Sequence, residues 1–315
     1  MRIVFLGSGA FGLPTLEALA TKHEIVHVVS QCDKPAGRGK TLTPTPIAAY
    51  ALTRGFALTR PLDINAEDVR QQLRTLEADA WVVIAFGQKL SAALLEGVFA
   101  INLHGSLLPA YRGAAPIQRA VMDGCTQTGV SVIALAERMD AGVVYATRMM
   151  DIVADCTSDD VHDALSLLGP EVVLDVLERH ARGDLHGVVQ DELQATRARK
   201  LSKLDAEVDI ARLDARTASA RINGLNSWPG CVARIGPLTV KLLRVGALPT
   251  LLSSSAATVA PGVLTREGHI GAVDGPIAVL EIQVLGGKPM AMSEFLRGRA
   301  QLIGATVHPG AGSSS

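Results

Sequence analysis

Asn102 and His104 stand two residues apart in the run INLH, so in an extended strand their side chains share one face. A carboxamide beside an imidazole can donate hydrogen bonds to a polarised oxygen and move a proton. Both residues close a strand-like segment, and open α/β sheets bind their ligands in the crevice outside the carboxyl ends of the strands. The loop that follows runs from Gly105-Ser106-Leu107-Leu108-Pro109 through Tyr111-Arg112-Gly113 to Pro116. Pro109 and Gly113 fix its course, and Pro116 suits a first helical turn. After the apolar run VSVIALA, the segment Glu137-Arg138-Met139-Asp140-Ala141-Gly142 supplies Asp140, a carboxylate able to orient His104 and support its charged form. Taken singly, each residue has a plainer reading: His104 as a satisfied strand-end histidine, Asn102 as a turn former, Asp140 as a turn aspartate.

The elements that must hold these groups alternate in the first half of the chain. Strand-like RIVFL, EIVHVVS, ADAWVVIAF, INLH and VSVIALA are interleaved with helical patterns over Leu13 to Ala20, Pro46 to Thr53 and Ile117 to Met122. That rhythm predicts an α/β domain with a Rossmann-like twisted, largely parallel sheet. The runs VVIAF and VSVIALA are apolar throughout, as in strands covered by helices on both faces. A helix fits Ser158 to His180, with Val161, Leu165, Leu168, Val172 and Val176 at helical spacing and Thr157 or Ser158 as N-cap. From Asp191 to Asp205 the chain is polar and lacks a strand period, as a surface connection would be. Beyond a helix near Ala215 to Leu225 come CVARI, LTVKLLRV, GVLT, IGAV and IAVLEIQVL, separated by Gly and Pro, the pattern of a small β-barrel. The expected division is a first domain over 1–190, a linker over 191–205 and a barrel domain over 206–315. Leu252 to Ala260 and the tail GAGSSS read as low-complexity loops.

At 315 residues, with 48% apolar and 19% charged side chains, the chain has ample material for two cores. No apolar run approaches the roughly 20 residues of a membrane span, and the first residues read as strand and turn, so a cytoplasmic protein with no membrane partner is expected. Cys32, Cys125, Cys156 and Cys231 are widely spaced without C-x-x-C, which predicts buried, inert thiols and no metal site or disulfide framework. The net charge of −1 hides an asymmetry: residues 195–315 carry 14 Lys and Arg against 8 Asp and Glu, leaving 16 against 23 for the rest. A basic C-terminal third on an acidic body suits a polyanionic partner, although a solvated face reads the same way. Nothing in the sequence demands more than a monomer.

Gly7, Gly9 and Gly12 form G-x-G-x-x-G between a strand and a helix, the context of a dinucleotide site. An NAD(P)-dependent oxidoreductase is therefore one alternative. The acidic residue expected at the end of the second strand is missing, since EIVHVVS runs into Gln31-Cys32 before Asp33. The glycines then serve a tight turn and close helix–strand approach.

The whole arrangement, N-x-H-x-S-L-L-P followed by R-G-x-x-P and a later D-x-G, resembles the catalytic core of the folate-dependent formyltransferases. The resemblance implies that Asn102 and His104 stabilise the oxyanion formed when an amine attacks a formyl carbon, with Asp140 positioning His104 and assisting proton movement. It implies a folate site lined by Ser106, Leu107, Leu108, Pro109, Phe86 and Gly87, with 10-formyltetrahydrofolate as formyl donor and no metal. Two positions depart from the common pattern: Gly7-Ser8-Gly9 where many relatives have G-T-P, and Phe86 where V-x-A-Y-G has tyrosine. The segment Asp33-Lys34-Pro35-Ala36-Gly37-Arg38-Gly39-Lys40 looks like the P-A-G-R-G-K loop of family members that act on methionyl-tRNA. Arg199-Lys200-Leu201-Ser202-Lys203, Asn223 to Trp228-Pro229, and Gly286-Gly287-Lys288 extend the likeness along the chain. It implies contacts to initiator methionyl-tRNA from Lys34, Arg38, Lys40, Arg199, Lys200 and Lys203, with the barrel as an oligonucleotide-binding-like (OB-like) surface. The catalytic motif fixes the chemistry and not the acceptor, so a nucleotide-sugar amine formyltransferase is the other alternative.

Overall fold

Helices return the chain between successive strands of the first sheet, and that is why those strands run parallel. In the computed structural model, which describes residues 1–36, 41–248 and 259–310, β1 (Arg2–Gly7) is followed by α1 (Leu13–Lys22) and β2 (Glu24–Val29). A short ribbon of β3 (Lys34–Ala36) and β4 (Thr41–Thr43) precedes α2 (Pro46–Arg54) and β5 (Leu58–Thr59). Then come α3 (Glu67–Arg74), β6 (Ala80–Ile84), α4 (Ala92–Leu95) and β7 (Ala100–His104). The order β10-β9-β7-β6-β1-β2-β5 is completed by β9 (Gln127–Ala134) and β10 (Val144–Asp151), while β8 is the two-residue Arg112–Gly113. β5, β2, β1, β6 and β7 are mutually parallel, and β9 runs antiparallel to β7 with His104 opposite Ser131.

Local chemistry sets the helix ends. Thr45 caps α2, its Oγ1 accepting from the Ala48 N–H at 3.1 Å, Pro46 opens the first turn, and Gly55 ends it at φ 69°. Central strands of Ile, Val and Phe disappear from solvent, with Val4, Leu6, Trp81, Val83 and Phe86 in one buried cluster. The glycine triplet belongs to this packing. A Cβ on Gly7 would lie 2.6 Å from Phe5 Cε1 and 2.9 Å from the Ile84 carbonyl, and one on Gly12 would lie 3.1 Å from Phe5 Cζ.

The chain divides into two compact units, the first of residues 1–113, 129–150 and 162–197, the second of 114–128, 151–161 and 198–315. α6 (Ser158–Arg182) is a single helix with Pro170 inside it, and β11 is Arg197–Ala198. In the second unit α5 (Pro116–Met122) packs on α7 (Ala215–Gly224). Its sheet follows the order β14-β15-β13-β12-β17: β12 (Cys231–Ile235), β13 (Leu238–Ala247), β14 (His269–Gly271), β15 (Pro276–Val284) and β17 (Val307–Pro309), with β16 (Pro289–Ala291) on β15. All these pairings are antiparallel, and the sheet curls as a half-barrel around Val240, Leu242, Ile282 and, from α8 (Met292–Arg297), Phe295.

Four local expectations change. GVLT, Gly262 to Thr265, makes single bridges instead of a strand, because Gly262 turns the chain at φ 77°. The loop Asp33 to Lys40 is framed by the β3–β4 ribbon, which puts Lys34 opposite Thr43. The polar stretch after Asp191 contains turns of 3₁₀ helix at Glu192–Gln194 and Lys203–Ala206. Of the four free thiols only Cys231 is buried, and burial pushes it up to about 12; Cys32, Cys125 and Cys156 are half-exposed because they sit at element ends. Arg38 and Lys40 lie outside the described residues, as do Gly37, Gly39, most of the stretch 252–260 and the tail 311–315. Among the described residues no helix is long and apolar enough to cross a membrane.

Candidate active site

β7 ends on His104, which is buried. Its Nε2 lies 2.9 Å from the Tyr111 carbonyl oxygen. A carbonyl only accepts, so Nε2 carries the hydrogen and the other ring nitrogen, Nδ1, is left for chemistry. Nδ1 faces Asp140 Oδ1 at 3.7 Å. That distance is too long for a hydrogen bond, yet it sets the carboxylate facing the ring nitrogen that the Tyr111 carbonyl leaves free. The second oxygen of Asp140 is committed: Oδ2 accepts from the Gly113 N–H at 2.9 Å. One backbone group on each side thus fixes the two partners.

Asn102 sits one residue pair back on the same face, half-buried, and among the described residues nothing bonds its carboxamide. A polar group left open at the carboxyl end of a central strand is available to a ligand. Asn102, His104 and Asp140 are therefore brought to one end of one sheet, with one open carboxamide, one free ring nitrogen and one carboxylate.

The loop after β7 is self-braced. Ser106 Oγ donates to the Ala110 carbonyl at 2.6 Å, the Ser106 carbonyl accepts from Ser131 Oγ at 2.7 Å, and Ser131 Oγ accepts from the Leu108 N–H at 3.1 Å. Ser106 is wholly buried, so its hydroxyl shapes the loop and does not project from it. Leu108 is buried as well, whereas Leu107 and Pro109 are partly open. Phe86 also points into the core, which leaves its backbone and the exposed Gly87 as the surface presented after β6. Gly87 adopts φ 86°, and a Cβ there would collide with the Gln31 amide, so glycine is required. Ser8, one of the departures from the family pattern, ties these turns together: its Oγ donates to the Phe86 carbonyl at 3.0 Å and accepts from the Gln31 N–H at 3.1 Å.

Lys34 is exposed and donates to Gln31 Oε1 at 2.8 Å. Arg199, Lys200 and Lys203 are exposed in the second unit. Among the described residues no group of three His, Cys, Asp or Glu side chains is gathered to hold a metal ion.

Sequence reasoning missed a further shell. Gln190, buried, donates through Nε2 to the carbonyls of Asp140 at 2.8 Å and Gly142 at 2.7 Å, and its Oε1 accepts from Arg112 Nε at 2.9 Å. Arg112 also grips Glu192 with both terminal nitrogens, at 3.1 and 3.2 Å, and Arg138 reaches the same carboxylate at 2.7 Å. These two guanidiniums hold Glu192 well below the usual carboxylate range, at about 2. Thr196 accepts from the Tyr111 N–H at Oγ1 (2.8 Å) and from the Arg112 N–H at its carbonyl (2.9 Å). Only the Arg of R-G-x-x-P signalled this network in the sequence.

Residues 1–177 match the family described as formyl transferase, and residues 200–300 match the formyl transferase C-terminal domain. The methionyl-tRNA formyltransferase of Marinobacter nauticus is 34% identical over 307 residues, spanning 96% of this chain and 98% of its own. That of Rhodopseudomonas palustris (strain HaA2) is 37% identical over 311 residues, 98% of each chain. The crystal structure of an N-formyltransferase from Helicobacter canadensis, in complex with folinic acid and dTDP-3-aminofucose, is similar in fold, with a TM-score of 0.65 at 13% identity over 90% of this chain and 98% of its own.

Proposed function

This chain belongs to the formyl transferase family, and from that premise we propose that it carries a formyl group from 10-formyltetrahydrofolate to the amino group of methionine on initiator methionyl-tRNA. The observation that carries the reading is the match along nearly the whole chain, catalytic and C-terminal parts together, to relatives named methionyl-tRNA formyltransferase. The site is consistent with it. An open carboxamide at Asn102, a ring with one free nitrogen at His104, and turns of exposed backbone at Gly87 suit a flat, hydrogen-bonding folate whose formyl end reaches β7.

In this reading Asn102 donates to the formyl oxygen as the amine attacks and negative charge develops there, an interaction stronger in the transition state than before it. His104, anchored through Nε2, takes up the proton lost by the amine at Nδ1; the imidazolium so formed then donates to the oxyanion or returns the proton to the departing folate nitrogen. Asp140, 3.7 Å away, stabilises that imidazolium. The site needs no covalent bond to the protein. Residues 1–190 carry this chemistry, 191–205 connect, and 206–315 add a surface for the nucleic acid, whose phosphates are also met by Lys34, Arg38 and Lys40 from the first part and by Arg199, Lys200 and Lys203 from the connection.

A sugar acceptor is the second reading, favoured by the fold likeness to the Helicobacter enzyme, which was solved with an aminofucose nucleotide. Transfer of labelled formyl from 10-formyltetrahydrofolate to methionyl-tRNA, with dTDP-amino sugars as competitors, separates the two. Label on methionine is expected; label on sugar alone would keep the chemistry and reject the acceptor.

A further inference from the structure

We propose that Gln190 is a positioning residue for formyl transfer: through its side-chain amide it clamps the Asp140 loop at the setting that keeps the Asp140 carboxylate on the His104 ring. This rests on the proposed function for its kinetic consequence, but not for its structural one.

Asp140 adopts φ 55°, a left-handed backbone uncommon outside glycine, although aspartate tolerates it better than most residues. Its own loop supplies two backbone bonds, from the Ala141 N–H to the Arg138 carbonyl at 3.2 Å and, across its base, from the Ala134 N–H to the Val143 carbonyl at 3.0 Å, and neither holds the Asp140 or Gly142 carbonyl. The restraint comes from Gln190, 50 and 48 residues away along the chain, whose one amide group donates to the carbonyls on both sides of Ala141. A glutamine amide can serve two acceptors with its two hydrogens only if its plane is fixed, and the bond from Arg112 Nε to Oε1 fixes it. Arg112 is in turn held by both oxygens of Glu192. Arg112 adjoins Gly113, whose N–H grips the other oxygen of Asp140, so one network sets the carboxylate from the loop behind it and from the residue in front. Gly142, the second residue clamped, lies so close to β9 that a Cβ would strike the Ala134 carbonyl, which leaves the loop no alternative path on that side. Losing both donors would leave the buried Gly142 carbonyl and the part-buried Asp140 carbonyl without these partners and free the Asp140 loop to relax.

Three measurements test this. Gln190→Leu removes every bond; Gln190→Glu keeps an acceptor for Arg112, adds charge attraction that supports folding, and removes the two donors. Both variants are expected to lower kcat on the order of 100-fold with the KM for folate and for methionyl-tRNA within about twofold of wild type. Added to Asp140→Asn, Gln190→Leu is expected to cost little more, because the carboxylate it positions is already gone. Hydrogen exchange should quicken in 138–142 and not across the sheet. The proposal is overturned if folded Gln190→Glu keeps wild-type kcat, if the losses multiply fully on the Asp140→Asn background, or if exchange rises evenly across the protein. Should wild-type protein transfer no formyl group at all, the functional reading fails, while local exchange in 138–142 still decides whether Gln190 is the clamp.

Discussion

Glu192 lies at the surface, yet Arg112 and Arg138 hold its acid at about 2, against 4.5 for a free glutamate. Its folded-state value is lowered, so the stability it contributes is complete above pH 4.5, declines as pH falls below that, and is gone once pH has passed through about 2. The melting temperature of Glu192→Gln should therefore fall short of wild type by a constant margin near neutrality, and the two curves should converge between those limits. A margin that persists unchanged to the acid end would mean that the carboxylate is not the source. In the proposed reaction Asn102, His104 and Asp140 would act on a finer scale, where a single lost donor counts. His104 has one nitrogen fixed and one free, and this division of labour was invisible in the sequence because it depends on a carbonyl seven residues on, in a turn where Tyr111 takes φ 60°.

At the level of elements, strands and helices were legible wherever apolar period and end signals agreed. β1, β2, β6 and β7 fall in the expected runs, α2 begins at Pro46 behind its Thr45 cap, and α7 begins behind Asp214, whose side chain accepts from the Thr217 N–H at 2.8 Å. The two-residue strands, the β3–β4 ribbon and the 3₁₀ turns left no period to read. The candidate trio Asn102, His104 and Asp140 could be picked out from type and spacing, but the Gln190–Arg112–Glu192 network joins residues 78 and 80 apart, and no local pattern encodes such a meeting. The glycine motif is decided at this scale too. Since Gly7 faces Phe5 and the Ile84 carbonyl, Gly7→Ala should destabilise the sheet by about 1–3 kcal/mol through overpacking. Thermal unfolding measures this; an unchanged melting temperature together with a selective loss of nucleotide binding would restore the dinucleotide reading.

Across the whole molecule, charge is divided as an anionic substrate would require. The excess of six positive charges over residues 195–315, from 14 Lys and Arg against 8 Asp and Glu, includes exposed Arg199, Lys200 and Lys203. Phosphate contacts release counterions, so the KM for methionyl-tRNA should climb steeply between roughly 50 and 200 mM salt while the KM for the folate barely moves. Neutralising Arg199, Lys200 and Lys203 together should flatten that dependence, and an equal slope in the variant would place the tRNA elsewhere. The basic third was readable from composition, whereas the division into units was not: residues 114–128 and 151–161 group with the C-terminal half, although they lie within the sheet-forming stretch of sequence.

The most direct test of the account is the single-turnover rate of formyl transfer from 10-formyltetrahydrofolate to methionyl-tRNA for wild type, Asn102→Ala and His104→Ala. Wild type should transfer formyl, and each variant should be slower by on the order of 100-fold or more with both substrates still bound. Variants as fast as wild type would contradict the assignment of this site.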